Sequence, residues 1–541
     1  MALDLTQGTE TWRQVIEIAL DSGTVRYAFT DLVLDDGTFY EGRIRSMPVL
    51  RRSTGGFLDP RIVEPRLNIT LDNADMAIRD SFDATTWANR TVTVKVGQGT
   101  AAADYSTVYT GTVAYPAGMM WDELEAAIVV RSNIAGDART LPTNKFNPST
   151  YPNIETKSRW QPIPIVYGDW LAGSGNGEKV PCFCTNTSTR QFKIADHAIK
   201  QIEAVYLNGV SVSFSSTDLT NATFILDVAY DDELDTVTAN IQGATDDGTS
   251  SGNLLMNLSD IFDDILQTWL GVSSAKIDAT AMASWAGFLS RADDGRRVIS
   301  SEISSNTLLS DLLVDGFADI RVADAKYAPR FRALQLTGLT TLREFDILDA
   351  SPGRKDFSVE IDPQRVYGNE MVGDYSYDPI VGRYNGSYEK EVTAEITAKG
   401  TRVRRRIKLN WIYKEAGASA RTEREAVLFG QDIEMPTIGF GPRALELGPT
   451  DQFRLTYNKW GSADEGTPFQ VRDVVSNYQG FNAKILAWNL QALATYGTWT
   501  ADAAPNWTSS TSTQRETQGF WTNASGEADP GNPASIRSIW F

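Results

Sequence analysis

The sequence predicts a multi-domain, mainly β protein with a smaller α/β insertion that carries the helices, and three observations predict it. From Val25 to Val113 apolar residues alternate with polar ones between tight-turn pairs, the pattern of short antiparallel strands. Helical spacing is confined to a block that begins after residue 253, where apolar residues recur every three to four positions. The period of two then returns from Phe357 onward. At 541 residues the chain exceeds one ordinary core and implies roughly three to five modules.

The first module, residues 1–136, is all β. In VRYAFTDLVLDDGTFYEGRI the Asp36-Gly37 pair marks a hairpin that sets Leu34 opposite Phe39. Leu67, Ile69 and Leu71 alternate, as do Val92, Val94 and Val96, so a sheet or barrel with one apolar face follows. Residues 137–160 hold three prolines and little periodicity, which reads as a linker. QPIPIVYGDW, from Gln161 to Trp170, then opens a second β-rich module, 161–243. Its prolines fit only an edge, a strand start or a bulge, because proline cannot donate to a ladder. Asn208-Gly209 marks another tight turn within this module. A second linker follows over Ala244 to Asn253.

The insertion, 254–350, contributes three helices. LSDIFDDILQTWL is capped by Ser259 or Asp260, ATAMASWAGFLSRADDG stops near Gly295, and SSNTLLSDLLVDG starts at Ser304 to Asn306. The last large module, 351–495, is β. Its most instructive piece is YEKEVTAEITAKGTRVRRRIKLNW. A two-residue turn at Lys399-Gly400 sets Glu395 against Arg404 and Glu391 against Lys408 on one face, with Ile396 against Val403 and Val392 against Ile407 on the other. The basic run is thereby read as cross-strand charge pairing and not as a phosphate-binding patch, and Arg404→Glu is expected to destabilise or misassemble the protein.

The end of the chain, 496–541, changes character. From Gly497 it has no Leu or Val, yet it holds Trp499, Trp507, Trp521, Trp540 and the terminal Phe541. Such a segment lacks the aliphatics for a core, while isolated tryptophans anchor well in a partner's pocket. It reads as an extended arm whose aromatics dock on a neighbour; a disordered end fits the same composition.

The net charge of −19 argues against a broad nucleic-acid face, and suits a channel wall past which DNA slides without sticking. No basic-then-apolar leader opens MALDLTQGTETW, and no apolar run reaches the roughly 18 residues of a membrane span, so folding in a cytoplasm is expected. Cys182 and Cys184 with the single histidine, His197, are too few for a structural zinc site, which needs about four ligands. The cysteines read as packed small hydrophobes, with a site completed across a symmetry axis left open. His197 lacks a catalytic flanking signature, and GSGNGEK (Gly173 to Lys179) lacks the phosphate-loop spacing and reads as a flexible loop. The acidic pairs Asp231-Asp232, Asp263-Asp264 and Asp293-Asp294 are candidates for sugar cleavage only if paired across a cleft, and otherwise solvated surface. No catalytic, cofactor or metal residue is assigned.

The order of these pieces resembles the tail-tip or baseplate hub proteins of tailed bacteriophages. DDGTFYEGRI, PRLNITLDNAD, TWANRTVTVKVG and VYTGTV resemble their first tube-like antiparallel β-barrel, PIPIVYG the opening of their next module, and ALELGPTDQFRLTY with PFQVRDVVSNYQGFNAKILAWNL the end of their second barrel. The resemblance covers most of residues 1–495. It implies two tube-like barrels per chain, over 1–136 and 351–495, with inserted modules between them. It also implies a homotrimer that closes or continues the tail tube, contacts with distal tail or tail-tube ring proteins and with tail fibre or tip proteins, and a tape-measure protein as a further candidate partner. DNA is then passing cargo, no cofactor is needed, and the protein resides at the virion tail tip after assembly in the host cytoplasm. The rival reading is a carbohydrate-binding or carbohydrate-cleaving tail protein, with Trp160, Trp170 or the arm tryptophans stacking on sugars.

Overall fold

A computed structural model describes residues 12–46, 49–54, 66–115, 118–132, 139–175, 177–289, 293–323, 326–332, 339–361, 367–430, 434–457, 467–477 and 480–490, with the backbone of Thr498–Trp499, Gln518–Thr522 and Arg537–Ile539. The protein is mainly β, built from several sheets, with six α-helices among the described residues.

The alternating N-terminal stretches form a ten-stranded sheet. Its order is Leu32–Val33, Phe39–Gly42, Gly23–Ala28, Trp12–Leu20, Thr91–Gln98, Ser106–Val113, Glu125–Ser132, Arg66–Asp72 and Ile44–Ser46, with Met119–Trp121 also on Glu125–Ser132. Register follows the apolar period. Ile16 faces Val94 and Ile18 faces Val92, while Ile128 faces Ile69 and Val130 faces Leu67, and all eight are buried. A short helix, α1 (Ala77–Ala84), lies between two of the strands in sequence. The Asp36-Gly37 turn forms, but Val33 and not Leu34 faces Phe39. Gly37 sits at φ 84 and Gly37 N–H returns to Leu34 O at 3.0 Å, so the loop takes one residue more than a two-residue turn, with glycine at the left-handed position.

The second large sheet has seven strands: Thr340–Arg343, Gln452–Thr456, Thr467–Asn477, Asn482–Asn489, Glu434–Phe440 and Phe357–Ile361 in order, plus Leu50–Ser53. That last strand comes from the N-terminal region and pairs antiparallel with the long Thr467–Asn477 strand, from Leu50↔Ser476 to Ser53↔Asp473. Thr340–Arg343 joins the same sheet from a stretch expected to belong to the insertion. The two sheets share one apolar core that runs from Ile16, Ile69, Val94 and Ile128 to Ile438, Phe440, Phe453, Phe469 and Ile485. Among the described residues the paired strands of each sheet form an open path and not a closed ring.

Between them in sequence, two four-stranded sheets enclose a separate core that includes Trp170, Cys184, Phe192, Val205, Phe224 and Ile241. QPIPIVYGDW supplies the short strand Ile165–Tyr167, which begins just after Pro164 and pairs with Arg297–Ile299, the strand-start position that proline tolerates. Asn208 and Gly209 both have positive φ, 50 and 83, and make the expected tight turn between Gln201–Leu207 and Val210–Val212.

The helical block contains α2 (Leu258–Asp264), which widens into a π-helical turn over Ile265–Trp269, then α3 (Ala279–Phe288) and α4 (Ser305–Asp315). Their core gathers Ile261, Phe262, Ile265, Leu266, Trp285, Leu308 and Leu312, together with Tyr167 and Trp411 from elsewhere. The cap of α2 is Asn257, whose side chain accepts from Ser259 N–H at 2.9 Å, rather than Ser259 or Asp260. The second helix ends at Phe288, well before Gly295.

The region expected to be wholly β contains two helices. α5 (Thr393–Lys399) replaces half of the expected ribbon, and α6 (Glu415–Phe429) lies on a three-stranded sheet of Arg383–Glu391, Glu370–Asp378 and Arg404–Lys408. Gly400 at φ 65 ends α5. A left-handed glycine serves a tight turn and a helix C-terminus equally well. The choice falls to the helix because Glu395 and Lys399 pair at 3.6 Å one turn apart, which supports helix and not strand.

Candidate functional site

The chain's charged chemistry is concentrated where the inserted modules meet the second sheet. The hairpin Ala318–Ala323 with Lys326–Phe331 brings Asp319 and Arg332 together. Arg332 holds Asp319 through two parallel bonds, Nε to Oδ2 at 3.1 Å and Nη2 to Oδ1 at 2.9 Å. Arg472, from the long Thr467–Asn477 strand, donates to the same carboxylate. From α6, Glu425 accepts from Arg332 at 3.4 Å and pairs with Arg421 at 2.6 Å. All five side chains are essentially excluded from water. Phe317 lies under the guanidinium of Arg421 at 4.7 Å, and Trp488 under that of Arg472 at 5.4 Å.

These charges survive burial only because they face one another. Burial pushes the Asp319 carboxyl up, but Arg332 and Arg472 outweigh it and hold it below its ordinary value. Burial lowers Arg472 and Arg421, with Asp319 and Glu425 respectively opposing the fall. Asp315, the last residue of α4, adjoins the cluster. One oxygen, Oδ2, accepts from the N–H of Trp411 at 2.6 Å and of Ile412 at 3.3 Å. Burial dominates there and pushes this carboxyl up to about 8, against those bonds and against Arg421.

A second cluster sits where the 161–243 module meets the three-stranded sheet. Arg296 is buried between the rings of Trp170 and Tyr413, 4.4 and 4.3 Å from their centroids. It donates to Glu178 at 2.5 Å and to the carbonyl of Asp169 at 3.1 Å. Glu178 also accepts from Ser376 at 2.5 Å and Asn385 at 3.0 Å. Burial pushes Glu178 up, yet these donors and Arg296 hold it below its usual range. The loop GSGNGEK, expected to be flexible, carries Glu178 into this cluster. A Cβ on Gly175 would stand 2.1 Å from the guanidinium, so a side chain there would have to displace the Arg296 head group.

The residues singled out from sequence fall elsewhere. Glu395 and Arg404 do not face each other, nor do Glu391 and Lys408. Arg404 pairs with Glu370 at 2.7 Å and Glu389 at 2.5 Å, Glu391 takes Arg402, and Lys408 stands in register with Asp374. The basic run is ion-paired, but to the Glu370–Asp378 and Arg383–Glu391 strands, because α5 moves its expected partner off the sheet. The backbone of Trp499 lies in Thr498–Trp499, parallel to Gln518–Gly519, and that of Trp521 pairs with Ser538. The side chains of Trp499 and Trp521, and all of Trp507, Trp540 and Phe541, lie outside the described residues.

His197 is held by backbone on both ring nitrogens. Its Nε2 accepts from Val166 N–H at 2.9 Å and its Nδ1 bonds Ala198 O at 2.8 Å, so both nitrogens are consumed by backbone, and burial keeps the ring neutral by lowering its pKa. Cys182 and Cys184 are free thiols within the apolar core of their module, and burial pushes both thiols up. Trp170 is 1 % exposed and covers Arg296, which removes it as a sugar platform. Trp160 is 61 % exposed. Of the acidic pairs, Asp264 hydrogen-bonds Tyr167 and Thr268, Asp263 accepts from Gln267, Asp294 pairs with Lys414, and Asp231 caps its own turn. Among the described residues no group of three or more His, Cys, Asp or Glu is placed to hold a metal ion, and no helix is long and apolar enough to cross a membrane.

Sequence reasoning missed every charged member of the two clusters and named Trp170 only as a sugar platform. The available signal was composition: Arg296, Arg332, Arg421 and Arg472 each sit beside apolar or small residues, and KEAGASARTEREAVLF is rich in strong helix formers.

No family model and no curated protein matches the chain. Among solved structures, it is similar to the 43 kDa tail protein of prophage MuSo2 from Shewanella oneidensis, at 12% identity over 89% of this chain and 99% of that one, with a TM-score of 0.41. A chain of the virion of a native gene transfer agent particle is similar at 10% identity over 62% and 86%, TM-score 0.41. A prophage tail protein from Listeria monocytogenes EGD-e is similar at 9% identity over 88% and 94%, TM-score 0.34. Likeness at these scores is too loose to fix a fold or a role.

Proposed function

We propose that the chain is a structural component of a phage-type tail: a tail-tip or baseplate hub that continues or closes the tail tube, lines the DNA path and connects it to fibre or tip proteins. The observation that carries this reading is the fusion of the two large sheets. Leu50–Ser53 crosses from the N-terminal region to pair with Thr467–Asn477, and one apolar core runs beneath both sheets. Two β-modules joined this way make a stiff wall segment. The outer strands Leu32–Val33 and Phe357–Ile361 stand at the ends of their sheets, where further chains can add edge to edge. The sequence resemblance over most of 1–495 supports the same reading.

In this reading the working unit is a homotrimer at the virion tail tip, its neighbours are tail-tube or distal tail ring proteins, fibre or tip proteins and a tape-measure protein, and DNA passes without being read. The role is not catalytic. The most deeply buried charges are spent on one another at the junctions, and His197 on backbone.

The test is the solution mass of the purified full-length chain by light scattering, with electron microscopy of the same sample, repeated after deletion of residues 497–541. Trimers or rings support a hub, and their loss on truncation assigns the arm to the intersubunit contact. A monomer in both samples that retains an oligosaccharide on a glycan array replaces the hub with the carbohydrate-binding reading.

A further inference from the structure

The inserted segment 139–332 is attached to the remainder of the protein by contacts of an unusual kind. The links are mostly charged or polar. Asp319 meets Arg472 and Arg332 meets Glu425 in the buried cluster. Arg321 pairs with Asp451 at 2.5 Å, Asp294 with Lys414 at 2.8 Å, and Glu178 accepts from Ser376 and Asn385. The apolar links are Trp411 in the helical core, Phe317 and Phe288 in the cluster with Phe429 and Trp488, and Val314 against Tyr375, Ile407 and Leu409. By contrast, the three-stranded sheet and α6 are tied to the second large sheet by apolar contacts: Tyr367, Met371, Ala426 and Phe429 cluster with Met435, Trp488 and Leu490.

The two kinds of joint respond differently to opening. Separating apolar faces exposes surface to water with no return, at about 25 cal/mol per Å². Separating buried ions returns hydration to each of them, and that hydration is worth several kcal/mol per ion, so opening and closing lie near balance. Polar interfaces between modules of one chain accordingly permit relative movement. The first cluster draws on both sides, Asp319 and Arg332 from the inserted segment and Arg421, Glu425 and Arg472 from the remainder, so parting the faces leaves each side with charges that water can solvate.

We propose that residues 139–332 form a movable body that parts from the fused sheets at this charged joint, while the shared apolar core stays closed. The buried pairs set one well-defined closed position, and breaking them releases the body as a unit. Its use for admitting cargo along the wall rests on the tail-hub reading; the movement itself does not.

Hydrogen exchange read by mass spectrometry on the purified full-length chain tests it. In the wild type, the amides whose bonds cross the joint, Arg296 to Trp411 O and Trp411 and Ile412 to Asp315 Oδ2, are expected to exchange at least about tenfold faster than those of 66–72, 91–98 and 434–440, because a sub-global opening costs less than global unfolding. Asp319→Asn, which leaves Arg332 and Arg472 short of a countercharge, is expected to raise exchange at the joint by a further order of magnitude, roughly, with the shared core unmoved. Equal protection of joint and core in the wild type overturns the proposal, and so does a uniform rise across both in Asp319→Asn. Light scattering on the same samples separates this outcome from the hub reading: a monomer whose joint still opens selectively defeats the hub and leaves the movable body standing.

Discussion

The joint between the two large sheets and the joint between the inserted body and the second sheet are made of opposite materials. The first is a strand exchange over a core of Ile16, Ile69, Val94, Ile128, Phe440, Phe453 and Phe469. The second is a knot of three guanidiniums and two carboxylates. An apolar joint gains stability from area and tolerates no water. A charged joint gains little net stability but admits one arrangement. The contrast teaches that the fused sheets bear the load while the inserted body is positioned. Breaking each joint in turn should therefore give different phenotypes.

The largest effect is expected in the shared core. Phe453 stacks on Phe469 at 5.5 Å and meets Phe440 edge-on at 5.8 Å. Phe453→Ala should cost about 3–5 kcal/mol and lower one thermal transition for both sheets together. Calorimetry checks this, and two transitions, only one of them displaced, would show that the sheets are separate domains after all.

This difference also explains what the sequence disclosed. The alternations at Leu67, Ile69 and Leu71 and at Val92, Val94 and Val96 were legible because a half-buried strand writes its face directly into a period of two. The Asn208-Gly209 turn was legible because its left-handed backbone selects those residues. The strand exchange at Leu50–Ser53 was not, since LRRS has too few apolar residues to mark a period. Nor were the clusters: Glu178, Arg296, Asp319, Glu425 and Arg472 come from five distant segments, and a buried arginine looks in sequence like an exposed one. Gly400 misled the ribbon reading because it can end a helix as readily as turn a hairpin.

Asp315 sharpens the comparison with an effect of opposite sign. Its folded carboxyl holds a proton up to about pH 8, against a value near 3.8 when exposed. The folded state thus binds more protons between those limits, and stability falls as pH rises through the window, levelling off above it. Asp315→Asn retains an oxygen for the Trp411 and Ile412 N–H groups and cannot ionise. It should be neutral at pH 4 and stabilise by about 2–4 kcal/mol at pH 7. Denaturant midpoints at the two pH values decide, and a gain of equal size at both would rule out burial of an ionising acid as the cause.

Arg296 probes the second cluster more gently. Arg296→Lys keeps the positive charge for Glu178 but loses the planar group stacked between Trp170 and Tyr413, at a cost of about 2 kcal/mol for a desolvated site. Because this stack joins the 161–243 module to the three-stranded sheet and not to the two fused sheets, the fluorescence of Trp170 should change while the calorimetric transition of the fused sheets moves little. A full displacement of that transition would make the cluster part of the load-bearing frame.

The smallest effect belongs to Arg404, the residue whose charge reversal the sequence reading expected to be disruptive. Arg404 is about half exposed, and it reaches Glu370 and Glu389 across the outer face of the three-stranded sheet. Exposed pairs are worth about 0.2–1 kcal/mol and weaken in salt. Arg404→Glu adds repulsion from two acids, so its cost should stand near or above the upper end of that range in low salt and shrink in 1 M NaCl, where the screening length is about 3 Å, to the part owed to the buried Glu370. Asp319→Asn should behave otherwise, because its partners are sealed from ions and its cost should persist in the same salt. Thermal midpoints of both variants at low and high salt make the comparison. A salt-insensitive loss at Arg404 would mean that this face is itself covered, and the simplest cover for an ion-paired sheet face is another protein chain.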